Sequence, residues 1–191
     1  VPAAELEDKT MDASVEAALR KWPSVPACRG WLGLDARGDW YLRDDACQAA
    51  GRFPQPKGSR LEHAGLIAFI GRNYAVDADG AWFFQNGPQR VYVELEAAPW
   101  VLGVQAGPDG GWIVQTHTGL DAGPVRQAWS DEQGRLFLDT PLGLGLVRSA
   151  DMHAAADALE AGRWPLAEIR HAALLQAHGL CLSPQAAASG A

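Results

Sequence analysis

The sequence predicts an α+β fold: antiparallel sheets built from repeated β-hairpins, a packing helix between hairpins, and two C-terminal helices. Three observations carry this. Asp-x-x-Gly, then one residue and an apolar–aromatic–apolar run, occurs at Asp35–Gly38, Asp77–Gly80 and Asp131–Gly134. Segments of alternating polarity outnumber helical patterns. The helical patterns fall between and after the hairpins.

The corners follow from turn chemistry. Asp at the first position of a type I turn folds its carboxylate onto nearby backbone N–H groups. Gly three residues on takes positive φ and closes the turn with a bulge. Each corner then sets a register: Leu34 opposite Trp40 and Leu32 opposite Leu42, Val76 opposite Trp82 and Tyr74 opposite Phe84, Ser130 opposite Leu136 and Ala128 opposite Leu138. Asp109-Gly110-Gly111-Trp112 is a weaker fourth case. The uneven spacing of the corners excludes a fixed-period solenoid.

Taken in order, residues 1–12 are acidic and polar and read as a loose arm. Asp12 to Lys21 reads as a short helix, stopped by Pro23 and Pro26. Trp31 to Arg43 is the first hairpin, and Asp44 to Gly58 a Gly- and Pro-rich linker. Ser59-Arg60-Leu61-Glu62 has the form of a capping box and predicts a helix running to Arg72, with Leu66, Phe69 and Ile70 on its apolar face. The second hairpin spans Tyr74 to Phe84, and Asn86-Gly87 turns the chain into an alternating strand over Arg90 to Glu96. Trp100 to Gln105, Trp112 to Thr118 and Val125 to Trp129 read as further strands, followed by the third hairpin. Ser149 or Asp151 caps an Ala-rich helix ending before Gly162. Pro165 opens a last helix, Leu166 to His178, closed by Gly179. The expected domains are therefore an N-terminal arm and helix over 1–29, one α+β domain over 30–180 that divides at most into lobes 30–96 and 97–180, and a disordered tail over 181–191.

Composition narrows the function classes. A net charge of −7 argues against nucleic acid or an anionic membrane surface as partner, because both demand a basic face. Three scattered cysteines, Cys28, Cys47 and Cys181, suit reduced thiols and a cytoplasmic location rather than a disulfide framework. No apolar run reaches the roughly 18 residues needed to span a bilayer, and no signal-peptide pattern is present. The chain starts at Val1, so processing of its N-terminus stays open.

The run Leu66-Ile67-Ala68-Phe69-Ile70-Gly71-Arg72, then Asp79-Gly80-Ala81-Trp82-Phe83-Phe84, then Val91-Tyr92-Val93-Glu94-Leu95-Glu96-Ala97-Ala98-Pro99-Trp100 resembles a small bacterial domain-of-unknown-function family, the group numbered twelve eighty-five, or a sister family of it. Thr116-His117-Thr118-Gly119 stands where that family carries an Asn-Thr-Gly-like turn. Ala97-Ala98-Pro99, the linker and the final helix depart from its pattern. The resemblance implies a hairpin-plus-helix fold and a signalling or ligand-sensing role. It carries over no catalytic residue.

The chemistry-bearing residues are dispersed. The corner aspartates lack the spacing of a calcium loop, and turn chemistry accounts for them. None of the five histidines falls in a zinc pattern, no Gly-x-Ser-x-Gly elbow occurs, and Gly143-Leu144-Gly145 reaches Arg148 where a dinucleotide fingerprint needs glycine. No cofactor, metal or catalytic residue is therefore expected. Trp40, Trp82 and Trp112 read as core. An aromatic-walled binding site is expected from Arg72, Asn73, Tyr74, Trp100 or Trp129, Thr116 and His117. The favoured function is a non-catalytic module for a small molecule or protein partner, with a homo-oligomer left open. The alternative is an enzyme of unrecognised type, whose site would gather His117, Arg72 and Asp121 or Asp131.

Overall fold

A computed structural model describes residues 11–189, so the first ten residues of the expected arm and the last two of the tail lie outside the described part. The class is α+β: two mixed six-stranded sheets and six α-helices among the described residues. The described chain divides into two compact units, one comprising residues 11–35, 39–97 and 179–189, the other 36–38 and 98–178.

The first unit begins with α1 (Ala13–Lys21) and holds β1 (Cys28–Leu34), β2 (Trp40–Leu42), α2 (Asp45–Ala50), β3 (Ser59–Arg60), α3 (Ala64–Arg72), β4 (Tyr74–Val76), β5 (Trp82–Asn86) and β6 (Gln89–Leu95). Its sheet runs β3-β2-β1-β6-β5-β4. The hairpin registers follow the corner chemistry: Leu34 faces Trp40, Val76 faces Trp82 and Tyr74 faces Phe84. Inward residues build an aromatic core in which Tyr74 lies 5.4 Å from Trp40 and 4.7 Å from Trp82, while Phe69 of α3 meets Phe84 edge-on.

The second unit holds β7 (Trp100–Ala106), β8 (Trp112–Thr116), β9 (Gln127–Ser130), β10 (Leu136–Thr140), β11 (Gly143–Val147), a 3-10 turn (Ser149–Asp151), α4 (Met152–Glu160), β12 (Leu166–Glu168) and α5 (His171–Ala177). Its sheet runs β12-β9-β10-β11-β7-β8. Ser130 faces Leu136 and Ala128 faces Leu138, as the third corner requires.

The two sheets share one connectivity. In each, a hairpin (β1–β2 or β7–β8) is followed by a three-stranded meander whose last strand, β6 or β11, returns parallel to the first strand of the hairpin. A further parallel pair joins β12 to β9. The expected antiparallel ladders are present, but these parallel seams join strands far apart in sequence and turn both sheets mixed.

Four local expectations are corrected. The linker 44–58 contains α2, capped by the Asp44 carboxylate, which accepts the Cys47 N–H at 2.8 Å. Ser59 and Arg60 form no helix cap; they pair as β3 with Leu42 and Tyr41, and α3 starts later, where His63 Nδ1 accepts the Leu66 N–H. The sheet edge satisfies backbone that the capping pattern would have placed in a helix. The helix expected from Leu166 to His178 is split, because Leu166–Glu168 pairs with β9 and only His171–Ala177 is helical. The disordered tail is replaced by α6 (Pro184–Ser189), which packs against β6 and β1.

The corner aspartates share one geometry. At Asp131, Oδ1 accepts the N–H groups of Gln133 and Arg135, and Oδ2 accepts Arg135 Nε at 2.7 Å. At Asp77, Oδ1 accepts Asp79 and Ala81 N–H, and Oδ2 accepts the Tyr92 hydroxyl at 2.8 Å. Burial pushes the Asp131 carboxyl up, but the Arg135 side chain and the backbone donors outweigh burial and hold it below its ordinary value. A depressed folded-state value means the unfolded chain binds the proton more tightly, so this stabilisation is complete above the ordinary carboxyl range and is lost as pH falls through the folded value. Asp131→Asn is therefore expected to cost about 1–3 kcal/mol at neutral pH. The difference in melting temperature from wild type should narrow as pH falls through the depressed folded-state value, as followed by circular dichroism.

Candidate functional site

The six residues expected at a site fall three to each unit. In the first unit, Arg72 ends α3 and grips Asp12 with both arms, Nε to Oδ1 at 3.1 Å and Nη2 to Oδ2 at 3.2 Å. Hydrogen bonding to Arg72 holds the Asp12 carboxyl below its ordinary value against a smaller effect of burial. Asn73 is buried and closes α3: Nδ2 donates to Phe69 O, while Oδ1 accepts the Asp12 N–H at 2.9 Å. Tyr74 sits in the aromatic core, where burial raises its hydroxyl well above the ordinary value. This trio anchors a helix terminus.

In the second unit, Trp100 is buried and donates Nε1–H to Leu142 O at 2.7 Å. The Thr116 hydroxyl meets that of Thr118 at 2.9 Å and accepts the Leu120 N–H, which closes the turn after β8. His117 lies beside Trp100, with ring centroids 5.8 Å apart, and its Nδ1 accepts the Val101 N–H at 3.2 Å. An accepting Nδ1 places the proton of a neutral ring on Nε2. Asp121 accepts the Gly123 N–H in its own turn, and Asp131 holds the third corner. Of the tryptophans read as core, Trp40 and Trp82 are buried and Trp112 is half-buried.

Thr116 and His117 border a cleft of about 130 Å³ on the second sheet, with Gly103 and Ile113 as its floor, the backbone of Val104 and the buried Val101 at its margin, and Gln105, Gln115, Arg148 and Asp151 around it. Arg148 follows β11, and Asp151 closes the 3-10 turn. Nε and Nη2 of Arg148 both donate to Asp151 Oδ2, at 2.9 and 2.5 Å, and the same oxygen accepts the Val104 N–H at 3.1 Å. Gly103 permits this arrangement, because a Cβ there would stand 2.6 Å from Arg148 Nη2. A larger and more open depression of about 400 Å³ lies at Ser130, Glu132, Glu168 and Arg170, where Glu132 accepts the His171 N–H at the start of α5.

The sequence pointed to Thr116 and His117 but not to Arg148, Asp151 or Gly103. Arg148-x-x-Asp151 has the form of an ordinary helix-entry pair, and nothing local marks its approach to β7. Among the described residues, no group of three or more His, Cys, Asp and Glu side chains is placed to hold a metal ion, and no helix is long and apolar enough to cross a membrane.

A family model, DUF2944, described as "Protein of unknown function (DUF2946)", matches residues 11–189. The chain belongs to this family. Its fold is similar to the crystal structure of a DUF1285 family protein from Shewanella baltica OS155, with 19% sequence identity and a TM-score of 0.46 over 66% of this chain and 91% of that one. No curated protein matches the chain.

Proposed function

We propose that this member of the family is a non-catalytic binding module with a regulatory role, and that the cleft between β7, β8 and the Ser149–Asp151 turn receives its ligand. The observation that carries this reading is the cleft's make-up: Gly103 and Ile113 at its floor, one guanidinium fixed in place by Asp151, and two glutamines around it. Binding sites combine apolar walls with a few oriented polar groups in this way. At about 130 Å³ the cleft suits a compact group and falls below the roughly 300 Å³ typical of sites for larger ligands.

The groups that burial and hydrogen bonding shift most visibly lie outside the cleft. Acid–base catalysis works best with a group poised near neutral pH. Several resolved shifts run away from it. Burial raises the thiols of Cys28 and Cys181 and the hydroxyls of Tyr41 and Tyr92. Burial opposes the Lys57 ammonium, yet hydrogen bonds to Asp35 and Glu96 outweigh it and hold the amine above its ordinary value. Burial does hold the imidazole of His178 low, but that residue does not line the cleft.

Native mass spectrometry of freshly purified protein, paired with a thermal-shift screen of compact metabolites, tests the reading. A retained or added ligand is expected, stabilising by roughly 3 kcal/mol at a hundredfold excess over Kd, and Ile113→Glu should abolish the effect. A turnover found by broad activity screening and lost in His117→Ala would replace the module with an enzyme.

A further inference from the structure

Arg43, the residue after β2, is 0% exposed, yet among the described residues no carboxylate pairs with its guanidinium. Nη2 donates to Gly51 O at 2.5 Å and Nη1 reaches Gly30 O at 3.4 Å, while Nε has no acceptor. The acids next to it in the chain are engaged elsewhere. Asp44 is exposed and caps α2, and Asp45 is exposed in the first turn of that helix. An unpaired cation is costly to bury. A planar fork held in place with a donor to spare is complementary to an oxyanion.

The segment 52–57, between Gly51 and Gly58, closes over this side chain. The Phe53 ring centroid lies 5.9 Å from the guanidinium, and a Cβ on Gly58 would stand 3.1 Å from Arg43 Cγ. Among the described residues no backbone hydrogen bond joins 52–57 to a strand. Beyond a thiol contact from Cys47 of α2 to Pro56 O at 3.8 Å, two side chains hold the segment down. Lys57 Nζ bridges Asp35 Oδ2 at 2.9 Å and Glu96 Oε2 at 3.0 Å. The Phe53 ring fills the space over Gly33, where a Cβ would stand 2.5 Å from it, and is 6.4 Å from the Tyr41 ring. Gln55 and Pro56 between these holds are exposed. A segment with so few anchors opens more readily than the sheet beneath it, and Gly58, at φ +98°, gives it a pivot.

We infer that 52–57 is a strap, latched by Lys57, over an anion site centred on Arg43, and that the site takes a compact oxyanion, a carboxylate or a phosphate, when the strap lifts. This second site lies in the first unit and is independent of the cleft on the second sheet. Latch and site divide the charge between them. Lys57 neutralises Asp35 and Glu96, so the closed strap leaves Arg43 as the uncompensated charge beneath it. The Asp35 side chain is 1% exposed and that of Lys57 34%. Solvent therefore reaches the ammonium, and the latch can be broken from outside while the sheet stays folded. A single guanidinium suits a single oxyanion. A polymer of phosphates is disfavoured, since its binding needs several cations and the chain carries a net charge of −7.

The test uses the full chain and reads Arg43 directly, by phenylglyoxal labelling located by mass spectrometry, with amide hydrogen exchange over 52–58 alongside. In wild type, Arg43 is expected to label at least about tenfold more slowly than the exposed Arg52. Lys57→Met should speed both Arg43 labelling and exchange over 52–58 by about tenfold, with exchange in α3 and β5 unchanged. Phe53→Ala removes the other hold and should act in the same direction, which keeps the latch testable where one variant fails to fold. In the opened protein, inorganic phosphate or acetate should slow Arg43 labelling, about threefold at twice Kd, against chloride at the same ionic strength, and leave Arg52 unaffected. Protection by phosphate alone assigns a phosphate ligand and protection by both a carboxylate-sized one; either upholds the site. Arg43 labelling that neither folded variant speeds overturns the strap. Faster labelling that neither anion slows more than chloride does overturns the anion site.

Discussion

Gly80→Ala is expected to destabilise the protein by about 3 kcal/mol, whereas Gly134→Ala at the equivalent place in another corner should cost only about 1 kcal/mol. Both glycines have positive φ, +75° and +71°, so both substitutions bear the backbone cost of a left-handed residue. They differ in surroundings. A Cβ on Gly134 meets nothing within 4 Å, while one on Gly80 would land on the carbonyl oxygen of Gly179. That approach is part of a designed contact, since the Cys181 N–H donates to Gly80 O at 3.0 Å and Ala81 bridges Cys181. Backbone cannot swing aside as a flexible side chain can, so the segment 179–182 must shift. For a protein of this size, melting should fall by roughly 6–12 °C for Gly80→Ala and 2–4 °C for Gly134→Ala, by differential scanning calorimetry. Equal losses would mean that the 179–182 segment does not rest on the corner.

Glu94→Leu is the second large effect, expected at about 2–4 kcal/mol. Glu94 is 2% exposed on β6, and its carboxylate accepts the Ser183 hydroxyl at 2.5 Å and the Gln185 N–H at 2.9 Å. Leucine fills similar volume but leaves both half-buried donors without their carboxylate acceptor. Around this carboxylate, Leu95 N–H donates to Leu182 O, and the Gln185 and Gln48 side chains pair at 2.9 Å. The loss should therefore appear locally first. Amide hydrogen exchange over 181–189 is expected to speed up by about a hundredfold while exchange in β10 and β11 stays unchanged. Glu94→Gln, which keeps one acceptor oxygen, should fall between wild type and Glu94→Leu.

What could be read before the structure was local. Each corner states its own register, because Asp, Gly and the following alternation act within a few residues; hence Leu34–Trp40, Val76–Trp82 and Ser130–Leu136 are all found opposite each other. The parallel seams were illegible, since nothing in Cys28–Leu34 marks Val91 to Leu95 as its neighbour. Ser59–Glu62 has a sound capping pattern, but the open edge of β2 competes for the same backbone and wins. The site divides along the same line. Thr116 and His117 stand out at a strand end, whereas Arg148 and Gly103 acquire meaning only when β11 is laid beside β7. The tail was misjudged because small residues signal disorder only when no buried carboxylate waits to receive them.

The β1–β6 seam has a consequence during synthesis. Its strands are separated by about 60 residues, so β1 and β2 leave the ribosome as a lone hairpin, which is marginal in water. At roughly 5–20 residues per second, several seconds pass before β6 is available to cover the exposed edge of β1. Through that interval the nascent chain presents an uncapped ribbon bearing Trp31, Leu32 and Trp40, and translation speed across residues 44–90 decides how long it stays vulnerable to pairing with the wrong strand.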